Sequence, residues 1–283
     1  MPTPVPRVPP VGPRLLWAIA AAAVTAAGVV AQSCALAQDR PSPLRALEKQ
    51  GLTVVGTFPS PGGLTAWAGY MGQQPIALYA TPDGKHVIAG ALLDADGKDV
   101  NRAVLEKTVS KPMTDGVWGQ LQGSRSVADG SDKAPRTVYV FTDPNCPYCN
   151  KFWSDARPWV NAGKVQLRHI IVGILTPTSP NKAAALLADK NPAATLAAYE
   201  RAQSAATAKG LASGRPRPLG DEGIRPLSLI PPAVQAQLDG NEKLMTDLGL
   251  RATPAVVWRD SKGAVQMRTG VPDQALAEIM GPR

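Results

Sequence analysis

The stretch Arg136–Thr142, RTVYVFT, runs into Asp143-Pro144-Asn145 and then into Cys146-Pro147-Tyr148-Cys149. The β-branched and aromatic content of RTVYVFT predicts a strand. Asp143-Pro144-Asn145 is turn-forming and ends it. Cys146 to Ala162 reads as a helix, which Pro158 should kink. The two cysteines therefore stand where a strand gives way to a helix, with Cys146 at the helix start. Unsatisfied backbone N–H groups and the helix dipole favour an anion there. A thiolate at Cys146 is stabilised by that position, and the thiolate is the reactive form. Cys149 lies about one turn further on, near enough to close a small disulfide with Cys146. Pro147 is tolerated because the first helical turn does not need its N–H. Helix geometry makes Cys146 the more exposed, attacking sulfur and Cys149 the covered, resolving one.

Other uses of the pair fit less well. Half a zinc site needs two more ligands, and beyond residue 37 the chain offers no other cysteine and only His86 and His169. No metal is expected. A structural disulfide across so short a loop restricts the unfolded chain little. A buried inert pair is out of place in an exported protein. Redox catalysis is the reading that remains. Arg251-Ala252-Thr253-Pro254 supports it by entering a strand, Ala255–Trp258. A cis Thr253–Pro254 bond would leave backbone groups free to pair with an incoming extended peptide. On sequence alone, a trans proline at the head of an edge strand is the commoner case.

Downstream of the motif, Val165–Ile174 reads as a second strand and residues 181–210 as helix interrupted around Asn191-Pro192. Residues 211–232 form a Pro/Gly/Ser loop, and 233–249 a helix stopped by Gly249. Ala255–Trp258 and Ala264–Thr269 pair across a polar turn, and Asp273–Met280 closes as a helix. This order is an α/β plan. Upstream, a short helix from Leu44 to Gln50 precedes strand-like runs at Thr53–Phe58, Leu64–Tyr70, Ile76–Thr81 and His86–Leu93. Turn-formers separate them, so residues 52–94 read as an antiparallel meander. So small a sheet needs a helix, or a second copy of itself, to cover its apolar face. Residues 98–128 read as a mainly helical connector with Gly116, Gly119 and Gly123 interrupting it. The polar run Ser124–Pro135 marks the boundary.

The first 37 residues contain no acid and two arginines, Arg7 and Arg14, followed by an apolar run and Ala35-Leu36-Ala37. That is the pattern of a signal peptide cleaved before Gln38. The run is short for a membrane-spanning anchor. Acylation at Cys34 is disfavoured by Gln32, where a small residue is expected. Cleavage would leave 246 residues at net charge +6 and only Cys146 and Cys149 as cysteines. Aromatic residues are only 5% and no dense Lys/Arg run occurs, so nucleic acid is not an expected partner.

With these residues in view, the chain resembles the DsbC/DsbG family of periplasmic thiol:disulfide interchange proteins, in its DsbG branch. TVYVFTDPNCPYCNKFWSDARPWVNAGKVQLR, NEKLMTDLGLRATPAVV, EKQGLTVVGTFPSPGGL and YATPDGKHVIAG carry the likeness, which runs from about Leu44 to the C-terminus. The resemblance implies a two-domain α+β and α/β fold. Residues 1–37 would be the signal peptide, 38–97 a cystatin-like dimerisation domain and 98–133 a helical linker. Residues 134–283 would be a thioredoxin-like domain with a helical insertion. It further implies a V-shaped homodimer in the periplasm, client proteins that are partly folded or oxidised, a DsbD-like membrane reductase as partner, and no cofactor. Thr253 and Pro254 match the family's cis-proline position, with Pro147 and Tyr148 as the other neighbours of the catalytic Cys146 and Cys149. Thioredoxin's buried acid six residues before the first cysteine is here Val140, which removes one candidate proton acceptor. Asp143 is nearer and reads as a solvated acid.

The implied chemistry is thiol–disulfide exchange by a reduced pair, as disulfide isomerase, reductase or reductase of sulfenic acids, with chaperone activity in addition. The rivals are an oxidase that donates its disulfide and a redox-independent chaperone. His86 and His169 read as ordinary surface or packing residues. Trp153 and Trp159 read as helix packing, and Lys151 as an exposed lysine without a role at the thiolate.

Overall fold

The computed structural model describes residues 40–282; the signal-peptide reading lies outside the described residues. The first unit opens with α1 (Ser42–Glu48) and continues as a meander of β1 (Thr53–Phe58), β2 (Thr65–Met71), β3 (Gln74–Ala80) and β4 (Val87–Ala89). The sheet order is β1-β2-β3-β4, antiparallel throughout. Strand alternation sends side chains to both faces. Leu52, Val54 and Leu78 pack against Leu44 of α1. Phe58, Ala66, Ala68, Tyr70 and Tyr79 pack against Leu105 and Val109 of α2 (Arg102–Gly123). The small sheet is thus covered by helices on both faces. His86–Leu93 gives only the three-residue β4, because pairing with β3 involves Val87, Ile88 and Ala89 alone.

The helix α2 belongs to two cores. Its first half covers the meander, while Val117 and Leu121 pack under the second sheet with Tyr139, Phe141 and Val257. Arg259 pairs with Asp115 at 3.2 Å and stacks over Trp118. The glycines expected to interrupt α2 do not. Gly116 is there for contact: a Cβ would lie 2.6 Å from the Tyr70 hydroxyl oxygen.

The second sheet has the order β5-β7-β6-β8-β9. Its strands are β5 (Val127–Asp129), β6 (Arg136–Thr142), β7 (Val165–Ile171), β8 (Ala255–Arg259) and β9 (Val265–Thr269). The pair β6–β7 is parallel; β5–β7, β6–β8 and β8–β9 are antiparallel. The polar run Ser124–Pro135 was expected to separate the domains, but it contributes β5 to this sheet. The sheet therefore begins before residue 134. Val138 and Val140 of β6 face α3 (Pro147–Asn161) and α7 (Leu276–Met280), against Phe152, Trp159 and Ile279. Tyr139 and Phe141 face α2 and α6 (Pro232–Asp247) on the other side. Between β7 and α6 lie α4 (Ser179–Ala188) and α5 (Pro192–Ala212), a helical insertion.

Candidate active site

The central strand β6 delivers the chain to the end of the sheet, and the turn that follows is tightly held. Asp143 is fully buried. Its Oδ1 accepts from Asn145 N at 2.8 Å and Ser179 Oγ at 2.8 Å; its Oδ2 accepts from Ile174 N at 2.7 Å and Leu175 N at 2.9 Å. Burial pushes its carboxyl up, against four donors that favour the anion. Asn145 donates to Thr176 Oγ1 at 2.6 Å and Thr178 Oγ1 at 2.8 Å. Tyr199 of α5 donates its hydroxyl to the Pro144 carbonyl. Asp143 is therefore not the solvated acid of the sequence reading. It ties the cysteine-bearing turn to the loop before α4.

Cys146 is the N-cap of α3, and Pro147 takes the first helical position. Cys146 Sγ accepts from Cys149 N at 3.2 Å, so the sulfur occupies the anion site of the helix end. As a thiol it donates to the Thr253 carbonyl at 3.4 Å. Both cysteines are free thiols. The Thr253–Pro254 bond is cis, as the resemblance implied and against the trans form favoured by sequence alone. Pro254 is followed directly by β8, which sets it beside β6 and hence beside the motif.

The expected difference in exposure between the two sulfurs is absent: Cys146 and Cys149 are each 2% exposed. The asymmetry lies in proton affinity. Hydrogen bonding from the Cys149 thiol, then from Thr253 and the backbone N–H groups of Cys149 and Tyr148, outweighs burial and lowers Cys146. Burial, then the neighbouring Cys146 sulfur, pushes Cys149 well up. The Thr253 hydroxyl favours both thiolates and has no other hydrogen-bond partner. Tyr148, between the cysteines, is 52% exposed. With exposed Ile174 and Leu175 it gives the rim of the site apolar character.

Several residues singled out earlier lie elsewhere. Lys151 is engaged by Asp155 at 2.5 Å and Asp273 at 2.6 Å. Trp153 and Trp159 are buried packing residues. His86 is exposed, while His169 is buried with Nδ1 3.0 Å from Thr142 Oγ1 and Nε2 3.5 Å from Asp129. Among the described residues no three His, Cys, Asp or Glu side chains gather into a metal-binding group. No described helix is long and apolar enough to cross a membrane. Sequence reasoning missed Asn145, Asn150, Ser179, Tyr199 and Glu200. The Asx-type turn at Asp143 was the one available signal.

A family model for the thioredoxin-like domain matches residues 124–281, which includes β5. The thiol:disulfide interchange protein DsbG of Pseudomonas aeruginosa is 46% identical over 248 residues, covering 87% of this chain and 91% of that protein. DsbG of Escherichia coli is 39% identical over 246 residues, covering 87% and 93%. Among solved structures, the catalytic domain of Proteus mirabilis ScsC matches at TM-score 0.44 and 21% identity, over 59% of this chain and 93% of that one.

Proposed function

This chain belongs to the DsbG family of thiol:disulfide interchange proteins, and we propose that it works in the periplasm on other proteins through a Cys146–Cys149 pair kept reduced. The observation that carries the reading is Cys146 at the N-terminus of α3, its proton affinity lowered while that of Cys149 is raised. One sulfur is prepared to attack and the other to wait.

The proposed cycle begins when the Cys146 thiolate attacks a client disulfide. An S–S bond to the client forms, and the second client sulfur leaves as a thiolate. A client thiol then displaces Cys146, which isomerises the client. Alternatively Cys149 attacks the Cys146 sulfur and displaces the client sulfur as a thiolate, which reduces the client disulfide by two electrons and leaves the Cys146–Cys149 disulfide. On a client sulfenic acid, Cys146 forms the same mixed disulfide while the hydroxyl leaves as water on protonation. Cys149 then releases the client thiol. A DsbD-like membrane reductase is the proposed source of the electrons that restore the pair. Thr253, Pro254, Pro147 and Tyr148 border the reacting sulfurs, and the apolar rim suits partly folded clients.

The first unit is proposed to be a cystatin-like dimerisation domain, with α2 as the linker. Ile88, on the short edge strand β4, and Leu93 beyond it are exposed, which supports a second copy of the chain as occupant of that edge. Export by the cleaved N-terminal segment belongs to the same proposal.

Two variants test the reading. Cys146→Ser should abolish client disulfide reduction and keep any suppression of client aggregation. Cys149→Ser should accumulate a client mixed disulfide on Cys146. Retained turnover in Cys146→Ser would overturn it, and turnover-independent aggregation suppression alone would favour the chaperone reading.

A further inference from the structure

Asn150 follows Cys149 directly, and its backbone N–H bonds the Cys146 carbonyl at 3.2 Å. Its side chain reaches across to the helical insertion. There Nδ2 donates to the Glu200 carboxylate Oε2 at 2.6 Å and to the Glu200 carbonyl at 2.7 Å. Glu200 is 1% exposed and Asn150 is fully buried. Glu200 is also the only acid in α5. A buried carboxyl is costly, and an alanine-rich helix has no packing need for one. The charged and titratable groups facing it are Cys146 and Arg157 from α3 and Asp129 from β5. Arg157 is already matched by a two-pronged pair with Asp129. The carboxyl thus lies in the field of the attacking sulfur and is bonded to the turn that carries it.

We propose that Glu200 is a positioning residue for the redox pair: through Asn150 it fixes the first turn of α3, and its ionisation opposes the Cys146 thiolate. The proposal rests on Cys146 being the nucleophile. Burial, opposed by the Asn150 bond and aided by the Cys146 charge, pushes Glu200 up to about 7. Glu200 and Cys146 then oppose each other's ionisation wherever their titrations overlap. Below that pH Glu200 is neutral and the thiolate is unopposed. Above it Glu200 ionises and holds back further thiolate formation. The nucleophile's pH dependence is flattened across the range in which Glu200 titrates.

The test uses the reduced full chain. The iodoacetamide alkylation rate of Cys146 is read by mass spectrometry from pH 4 to 10, in wild type and in Glu200→Gln. Glutamine keeps an acceptor for Asn150 and removes the charge. The wild-type profile should be broader than a single titration. The variant should give a single titration about one unit lower, at the small end of like-charge shifts. An unchanged midpoint and width would overturn the proposal. If wild-type Cys146 alkylates like an ordinary thiol, the nucleophile assignment itself fails, which is a separate result. A second measurement does not need the Gln variant to fold. Carboxyl-carbon NMR of the six glutamates should find one titrating near 7 in wild type. In Cys146→Ser that titration should fall by the same one unit, because such coupling is reciprocal. No change there would also overturn the proposal.

Discussion

Replacing Asp143 by Asn should destabilise the redox turn by an amount set by its hydrogen bonds. Four donors, at 2.7 to 2.9 Å, end on two carboxylate oxygens. An amide keeps one acceptor oxygen and turns an NH2 toward the other two donors. Two charge-assisted bonds are lost, at about 1.5 kcal/mol each. Relief of the buried charge returns part of this, roughly 1 kcal/mol by the same scale. The net cost is about 2 kcal/mol, or a melting shift of roughly 4–8 °C for a domain of this size. Asp143→Ala should cost more, since all four donors lose their acceptor. Ser179→Ala should cost less, about 1 kcal/mol, since one bond goes. Thermal melts of the reduced chain give the ranking. Hydrogen exchange at Ile174 and Leu175 locates it, because their N–H groups lose protection only if Asp143 holds them. An Asn variant melting within 1 °C of wild type, with those amides still protected, would refute the reasoning.

Other perturbations have equally definite outcomes. Burial opposes ionisation of Asp129, but hydrogen bonds from His169 and Arg157 outweigh it and hold the carboxyl well below the usual range. Its stabilisation is therefore present above the unfolded value of about 4 and is lost as pH falls toward the lower folded one. Denaturant melts below pH 4 should show a shallower acid loss in Asp129→Asn than in wild type; equal slopes would contradict this. Glu200 has the opposite sign. Its folded value near 7 exceeds the unfolded 4.5, so ionising it in the fold costs up to about 3 kcal/mol, absent below pH 4.5 and complete above 7. Stability of Glu200→Gln, measured from pH 4.5 to 8, should lack that decline. A Cβ on Gly173 would lie 2.8 Å from Pro180 Cα. Gly173→Ala should cost about 1–3 kcal/mol by overpacking, and it should loosen the adjoining amides that hold Asp143. Unchanged exchange there would count against the loop's role.

What the sequence disclosed follows the range of the interactions involved. β1 was legible to the residue, because the β-branched run of Thr53–Phe58 is bounded by Gly51 and Pro59. The redox helix was legible because a strand, a turn and Pro147 fix its start locally. β5 was not: three residues inside a polar run carry no period, and only pairing with β7 makes them a strand. The Thr253–Pro254 isomer has no local signal beyond the proline itself. Asp143 looked solvated because acids in turns usually are, and nothing in the sequence singled out Glu200. Their burial depends on α4 and α5 closing over the redox turn, through Ser179, Tyr199 and Asn150. Those contacts join residues far apart in the chain, and local pattern does not encode them. The lowered proton affinity of Cys146 was legible from its place at the helix start, whereas the expected difference in exposure was not there, since both sulfurs are 2% exposed.

The most direct measurement is the redox state of Cys146 and Cys149 in living cells, by acid quench and thiol-specific mass tagging. A mostly reduced pair is expected, maintained by an electron donor and available to attack client disulfides and sulfenic acids. A mostly oxidised pair would contradict that account and make the protein a donor of disulfides.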